Sequence, residues 1–242
     1  MGHSLSQAYF TAQFAKEHVD ADYSVHELER IEDVVPLLDS LDGMNVTSPY
    51  KEAIIPYLDS LDPVAEKIGA VNVVYKRRGY NTDYIGVMDT LGEIVRNQRS
   101  EIRDQRSEIR DQRSEIRRAL VLGTGGAAKA VRYGLEQLGI RVTTVSRTPG
   151  KGDLTYAELT REVVRAHTII ANCTPLGMAP HENEMPEVDW ITEHHLLFDC
   201  IYNPPQTKFL KEGEKHGATI LNGSGMFIKQ AEEAWRIFRG EK

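Results

Sequence analysis

The 242-residue sequence predicts an α/β fold with two domains, of which the second contains a parallel sheet. Short β-branched segments alternate with segments of helical periodicity in both halves of the chain. Strands that alternate with helices form parallel sheets through right-handed crossovers. Between the two halves, the unit RSEIRDQ occurs at 99–105 and at 106–112 and begins a third time at 113. This repeat is therefore predicted to separate the domains.

The first half begins with apolar residues at helical spacing, which predict a helix over 5–19. Proline is tolerated at the first position of a helix, so Pro49 is predicted to begin one. Further helices are predicted over 32–41 and 84–96, and strands over 23–28, 43–46 and 71–75.

The second half reads as a regular alternation of strands and helices. Strands are predicted over 119–122, 141–145, 168–171, 196–201 and 218–221, and helices over 127–138, 155–165, 206–215 and 225–239. The last helix is long and amphipathic, so it is placed to return to the first domain.

The repeat carries one apolar residue in seven, whereas a coiled coil needs two. In a helix, its like charges would fall at i,i+3 and i,i+4 spacing, at a cost of roughly 0.2–0.5 kcal/mol for each pair. We therefore expect a solvated excursion between a helix that ends near Arg96 and a strand that starts at Ala119. The alternative is pairing between the acidic and basic stripes of two chains.

Composition limits the classes of partner and location. The net charge of -7 argues against nucleic-acid binding, and no apolar run reaches the length of a membrane span. The N-terminus lacks a secretory pattern, and Cys173 and Cys200 read as free thiols. We therefore expect a cytoplasmic protein whose partner is a small molecule.

His181, His194 and His195 lack metal-ligand spacing, so no metal is predicted. The oligomeric state is not indicated.

A glycine turn lies between the first strand and the first helix of the second half, with the sequence GTGGAA at 123–128. Glycine allows the backbone to approach a pyrophosphate, and the following helix offers free N–H groups and a positive dipole end. This indicates a Rossmann-like dinucleotide site at Gly123-Thr124-Gly125-Gly126-Ala127-Ala128. The alternative is a turn that serves packing only.

The residues at the end of the next strand indicate whether NAD or NADP is the preferred cofactor. An acidic residue there would bind the ribose 2′-OH of NAD, but this chain has Ser146, Arg147 and Thr148. A guanidinium and two hydroxyls suit a 2′-phosphate, so NADP is the predicted cofactor. The alternative is a surface arginine without a ligand.

Three polar segments of the first half, at 45–51, 69–72 and 79–83, lie at the ends of elements. Such ends bind ligands in α/β folds. Lys51 and Asp83 together could hold a substrate hydroxyl and move its proton. An ordinary Asx-turn is the alternative for the segment Asn81-Thr82-Asp83.

Taken in order, these segments resemble the shikimate dehydrogenase family along the whole chain, apart from the repeat and the extreme N-terminus. The matching segments are HSLS at 3–6, NVTSPYK at 45–51, GAVN at 69–72, YNTDYIG at 80–86, GTGGAAKA at 123–130, SRT at 146–148, NCTPLGM at 172–178, DCIYNPPQT at 199–207 and GSGMFIKQA at 223–231. The resemblance implies the NADP-dependent interconversion of 3-dehydroshikimate and shikimate, a step in aromatic amino-acid biosynthesis. It also implies a substrate-binding α/β domain over 1–85 and 226–242, a linker helix with the repeat over 86–118, and the Rossmann-like NADP-binding domain over 119–225.

The resemblance implies roles for individual residues as well. Lys51 and Asp83 correspond to the catalytic pair. The groups implied to bind the substrate carboxylate are Ser4, Ser6 and Tyr202. The implied hydrogen-bonding partners of the ring hydroxyls or of the catalytic groups are Thr47, Asn72 and Gln230. The implied neighbours of the nicotinamide are Thr174, Met178 and Gly225. Purely structural alternatives exist: Ser6 could cap its helix, Tyr202 could be a packing aromatic, and Asn172 could end its strand.

The chain departs from the family at its start. Family members usually begin with a strand and a Gly-x-Pro turn before the His-Ser segment, whereas Met1 falls almost directly on that segment here. We therefore expect the first strand to be absent, with edge groups and apolar surface exposed. An inactive ligand-binding remnant of the family is one alternative function, and a dehydrogenase acting on quinate is another.

Overall fold

The computed structural model describes residues 5–105 and 117–241, and it contains two β-sheets. The elements of the first part are α1 (Leu5–Glu17), α2 (Val35–Ser40), β1 (Gly43–Asn45), β2 (Ser60–Leu61), α3 (Pro63–Ile68), β3 (Val73–Tyr75), β4 (Arg78–Tyr80) and α4 (Asp83–Gln105). The strand order is β1-β3-β4-β2. Strand β3 is antiparallel to β1 and β4, while β2 is parallel to β4.

The elements of the second part are β5 (Arg118–Leu122), α5 (Gly126–Gln137), β6 (Arg141–Ser146), β7 (Leu154–Thr155), α6 (Arg161–Arg165), β8 (Ile169–Asn172), β9 (Leu196–Asp199), α7 (Lys208–Lys215), β10 (Thr219–Leu221) and α8 (Ser224–Phe238). The strand order is β10-β9-β8-β5-β6-β7, and every pairing is parallel. The predicted parallel sheet is confirmed.

The strand predicted over 23–28 was wrong, because the segment has no strand partner among the described residues. Side chains satisfy part of its backbone instead: Gln7 Nε2 donates to the Tyr23 carbonyl oxygen and Tyr50 Oη to that of Leu28. Between this segment and β1 lies a groove of about 850 Å³. Within the described residues β1 pairs only with β3, and the side chain of Val25 in the neighbouring segment is exposed.

Three predicted helices were wrong in extent. Residues 49–54 form turns rather than the helix predicted from Pro49, and the first turn of the helix predicted over 32–41 is a 3₁₀ helix. The helix predicted over 155–165 is divided, because the Thr160 side chain accepts a hydrogen bond from Val163 N and begins α6 anew. Helix α3 was missed, although Asp62 caps it and Gly69 ends it in a left-handed conformation. Its six residues are too few to show a helical period.

Helix α4 does not end near Arg96 as predicted but continues to Gln105, through the first repeat unit. Its first turns are anchored by the buried side chains of Val87, Leu91 and Val95. Once a helix is nucleated, each further residue adds a hydrogen bond, which outweighs the like-charge spacing of the repeat. The remaining repeat residues, 106–116, lie outside the described part of the chain.

Helix α8 connects the cores of the two parts. At its start, Met226 packs with Val87 and Leu91 of α4 and with Val121 of β5. At its end, Ala234, Trp235 and Ile237 pack with Phe10 and Val73 against the four-stranded sheet. The last helix therefore returns to the first part, as its amphipathic pattern indicated. No helix within 5–105 and 117–241 is long and apolar enough to cross a membrane.

Phe10 anchors α1 to the sheet, so we expect Phe10→Ala to lower the free energy of unfolding by about 3–5 kcal/mol. The Phe10 ring is fully buried and stacks on Tyr23 with ring centroids 5.0 Å apart. Phe14→Ala, one turn further along, is the matched control, because that ring is only partly buried and its loss should be smaller. Urea unfolding of both variants measures the difference, and equal losses would contradict the anchoring role of Phe10.

Candidate active site

A buried ion pair lies where the first sheet meets α4. Lys51 Nζ and Asp83 Oδ2 are 2.6 Å apart, and the two side chains are 14% and 6% exposed. Asp83 is the first residue of α4, and Lys51 lies in the turns after β1, with its carbonyl oxygen accepting a 2.7 Å hydrogen bond from Val71 N. The structure thus brings together the two residues predicted to be the catalytic pair.

Asn72 holds the second carboxylate oxygen of Asp83. Its side-chain nitrogen donates to Asp83 Oδ1 at 3.0 Å and to Thr82 Oγ1 at 2.9 Å. The same nitrogen lies 3.2 Å from Gln230 Oε1 of α8, which also accepts from the Thr82 hydroxyl. Helix α8 therefore reaches the ion pair through two predicted residues, Asn72 and Gln230, and through Thr82, which sequence analysis missed.

The Asx-turn considered for the segment Asn81-Thr82-Asp83 is present, and the catalytic role of Asp83 stays a prediction. Asn81 Oδ1 accepts a hydrogen bond from Asp83 N, which is an Asx-turn. The Asn81 amide nitrogen also donates to the Ala70 carbonyl oxygen. The turn is what presents the Asp83 carboxylate to Lys51, so local structure and chemistry do not compete here.

The other predicted substrate residues lie around this pair. Ser6 and Thr47 line the groove beside β1, whereas neither Lys51 nor Asp83 lines it. The groove therefore adjoins the ion pair rather than containing it. Ser6 also bonds to the Tyr23 hydroxyl, whose pKa is raised to about 12 by burial. Ser4 lies outside the described residues.

Tyr202 packs against the Phe227 ring of α8 at 5.0 Å between centroids. Burial raises the pKa of Tyr202, while the nearby Lys51 charge lowers it. The packing role considered for Tyr202 is therefore present, and its hydroxyl group lies within electrostatic reach of Lys51.

The glycine turn brings the second sheet to the same place. Gly123 has a φ of +112°, which favours glycine, and α5 begins after Gly125 without a side-chain cap. Its first N–H groups are thus free for an anion. A β-carbon at position 126 would lie 2.7 Å from Cβ of Lys51, so the start of α5 lies directly against the predicted catalytic lysine.

At the end of β6, Ser146 is buried and its hydroxyl accepts a hydrogen bond from Thr148 N, while Arg147 is exposed. The three residues therefore form a turn that carries one cationic side chain, that of Arg147, and no carboxylate. This chemistry fits a 2′-phosphate better than a 2′-hydroxyl.

Comparison with known proteins agrees with this geometry. The family model described as the shikimate dehydrogenase substrate binding domain matches residues 1–74. A Symbiobacterium thermophilum protein named shikimate dehydrogenase (NADP(+)) is 32% identical, and the match covers 100% of this chain and 87% of that protein. The chain belongs to the shikimate dehydrogenase family.

Solved structures of shikimate dehydrogenases have the same architecture. Shikimate dehydrogenase 1 from Peptoclostridium difficile is 29% identical with a TM-score of 0.81, covering 99% of this chain and 88% of that one. The Thermus thermophilus enzyme, solved in complex with NADP(H) and shikimate, is 27% identical with a TM-score of 0.77, covering 98% and 89%.

A second polar network, at the ends of β8 and β9, was missed by sequence analysis. Asn172 Oδ1 accepts from both the backbone and the hydroxyl of Thr174, and its Nδ2 donates to Asp199 Oδ1. Asp199 also accepts from Ile201 N and from the Thr207 hydroxyl at 2.6 Å. Asn172 does end its strand in a turn, and that turn fixes Thr174. The only sequence signal was that two polar residues end neighbouring apolar strands.

The remaining predicted neighbours of the nicotinamide lie near this network or at α8. Met178 is 42% exposed in the turns after Thr174. Gly225 lies in the first turn of α8, where a β-carbon would meet the Thr90 side chain of α4 at 3.1 Å. Their contacts with a cofactor stay a prediction.

We expect Gly126→Ala to lower dehydrogenase turnover by roughly 10- to 100-fold, because the added methyl group displaces Lys51 from its position beside Asp83. Gly125→Ala is the matched control: its φ of -80° suits alanine and no atom lies within 4 Å of the added carbon. Steady-state kinetics and titration with NADPH separate turnover from cofactor binding. Equal losses of turnover in both variants would show that contact with Lys51 is not the cause.

Asp199 should make stability depend on pH. Burial raises its pKa to about 6, so the folded protein favours the protonated acid. This contribution to stability is complete below the unfolded-state pKa and is lost as the pH rises through about 6. Asp199→Asn removes the titration, and the variant should lose roughly 1 kcal/mol less stability than the parent between pH 5 and pH 8. Identical pH profiles of the unfolding free energy would contradict this expectation.

Proposed function

We propose that this chain is an NADP-dependent shikimate dehydrogenase that reversibly reduces 3-dehydroshikimate to shikimate in the cytoplasm. The observation that carries the proposal is the buried pair of Lys51 and Asp83, with 2.6 Å between Nζ and Oδ2, in contact with the cofactor-type glycine turn. Burying two charges costs several kcal/mol per ion unless they are paired and hydrogen-bonded. An inactive remnant would gain nothing from maintaining such a pair, so this arrangement favours the enzyme.

The cofactor supplies a hydride when it is bound as NADPH and accepts one when it is bound as NADP⁺. During reduction, Lys51 donates a proton from Nζ to the substrate carbonyl oxygen, which becomes the hydroxyl oxygen of the product. During oxidation, Lys51 takes the proton of that hydroxyl. Asp83 holds the lysine head group in one orientation, and Asn72 fixes the carboxylate from its other oxygen.

The remaining polar side chains suit a substrate with one carboxylate and several hydroxyls. We assign the carboxylate to Ser4, Ser6 and Tyr202, and the ring hydroxyls to Thr47, Asn72 and Gln230. Neutral donors such as these bind hydroxyl groups without the desolvation cost of extra charges. The position of Ser6 and Thr47 along one groove wall supports a shared ligand.

The cofactor-binding residues fit NADP. Gly123, Gly125, Gly126 and Ala127 would hold the pyrophosphate at the uncapped start of α5. Ser146, Arg147 and Thr148 would hold the 2′-phosphate, and Thr174, Met178 and Gly225 would border the nicotinamide. With these roles, we infer a substrate-binding domain over 1–85 and 226–242, an NADP-binding domain over 119–225, and a linker over 86–118.

We expect Lys51→Ala and Asp83→Asn each to lower turnover by roughly 10²–10⁴-fold, because each removes one half of the proton-transfer pair. Lys67→Ala is the control, since Lys67 is an exposed lysine on α3. Initial rates of NADPH formation with shikimate measure turnover, and circular dichroism checks the fold. Near-parental rates in either site variant would overturn the catalytic assignment.

Arg147→Ala should weaken the binding of NADP much more than that of NAD, because only NADP presents a 2′-phosphate to the guanidinium. Arg141→Ala, at the exposed start of the same strand, is the matched control. Fluorescence titration with NADPH and NADH gives both dissociation constants. If both constants rise equally in the Arg147 variant, Arg147 does not read the phosphate.

A further inference from the structure

The two cysteines of the chain, 27 positions apart in sequence, face each other at the cofactor edge of the parallel sheet. Their Sγ atoms are 3.5 Å apart. Cys173 directly follows β8 and Cys200 directly follows β9, in a register that pairs Asn172 with Asp199. Cys200 N donates to the Asn172 carbonyl oxygen at 3.0 Å. Both cysteines are free and partly exposed.

This arrangement satisfies the requirements of a disulfide. Neighbouring strands lie about 4.8 Å apart, which is within the range of roughly 4.4–6.8 Å between the Cα atoms of bonded cysteines. Only the two sulfur atoms need to approach, from 3.5 Å to about 2.05 Å. The mechanism proposed above uses neither thiol group.

We propose that Cys173 and Cys200 form an oxidisable dithiol, which a hydroperoxide converts to an intrachain disulfide that reversibly lowers turnover. One thiol sulfur attacks the peroxide and becomes a sulfenic acid, with release of one water or alcohol. The second thiol then displaces water from that sulfur. In total, two thiols and one hydrogen peroxide give one disulfide and two water molecules. With an alkyl hydroperoxide, the products are one disulfide, one water and one alcohol.

The two sulfurs take different parts in this reaction. The hydrogen bond to Cys200, together with burial, raises the pKa of the Cys173 thiol. This disfavours the Cys173 thiolate, which is the nucleophilic form, so the attack on the peroxide is assigned to Cys200. Cys173 is then the thiol that closes the disulfide.

The dithiol is coupled to the site through the backbone. Thr174 directly follows Cys173, and a β-carbon at Gly123 would lie 3.2 Å from the Cys173 carbonyl oxygen. On the other side, Tyr202 lies two residues after Cys200, and a β-carbon at Gly223 would overlap the Cys200 carbonyl oxygen. A movement of either cysteine is thus passed to the phosphate turn or to the start of α8.

The test is titration of the purified full chain with hydrogen peroxide, followed by mass spectrometry of the intact protein and of its peptides. We expect a loss of two mass units, a peptide cross-link between positions 173 and 200, and a fall of several-fold in kcat/KM. Dithiothreitol should restore both the mass and the rate. Gains of 16 or 32 mass units without the cross-link overturn the proposal, as does a cross-linked protein with parental kcat/KM.

Single serine variants test the order of attack. Cys173→Ser should accumulate a sulfenic acid at Cys200 that dimedone traps, whereas Cys200→Ser should stay unlabelled and resist peroxide. Labelling in the opposite order would overturn the assigned roles.

The kinetic readout rests on the proposed function, but the cross-link does not. If the untreated protein fails to oxidise shikimate, the proposed function fails, and cross-linking together with NADPH titration still decides whether the dithiol acts on the cofactor site.

Discussion

The arrangement of this molecule depends on burying Lys51 beside Asp83. Such a pair is unfavourable in a protein interior unless its remaining hydrogen-bonding capacity is met. Asn72 meets it at the second carboxylate oxygen, and the Asx-turn of Asn81 fixes the aspartate backbone. The polar side chains therefore lie at the strand ends of the first sheet. The apolar core packed against the sheet holds these side chains in place.

Both sheets contribute to this one position. Helix α8 leaves the edge of the parallel sheet, contributes Gln230 to the Asn72 network and ends in the core of the first part. Helix α5 places Gly126 against Lys51, where any larger residue would intrude. The glycine turn and Lys51 are consequently in contact, so a dinucleotide bound at α5 would lie beside the residue that we propose transfers the proton.

Prediction from sequence succeeded where a pattern of neighbouring residues, or the resemblance to a family, was enough to indicate the structure. The parallel sheet followed from alternating apolar segments, and the pairing of Lys51 with Asp83 followed from resemblance to a family. Prediction from sequence failed where contacts between distant parts of the chain determine the structure. The segment 23–28 has strand composition but no strand partner within 5–105 and 117–241, and α4 runs into the repeat because its first turns are anchored. The network of Asn172 and Asp199 joins residues 27 positions apart, which no local pattern reveals.

The central claim is that Lys51 and Asp83 act as one unit. A double-mutant cycle in kcat/KM with Lys51→Ala, Asp83→Asn and the double variant measures this most directly. Residues that act as a unit are strongly non-additive, so the three losses should agree within roughly threefold. If the double variant instead loses the product of the two single losses, the two side chains act independently and this account is contradicted.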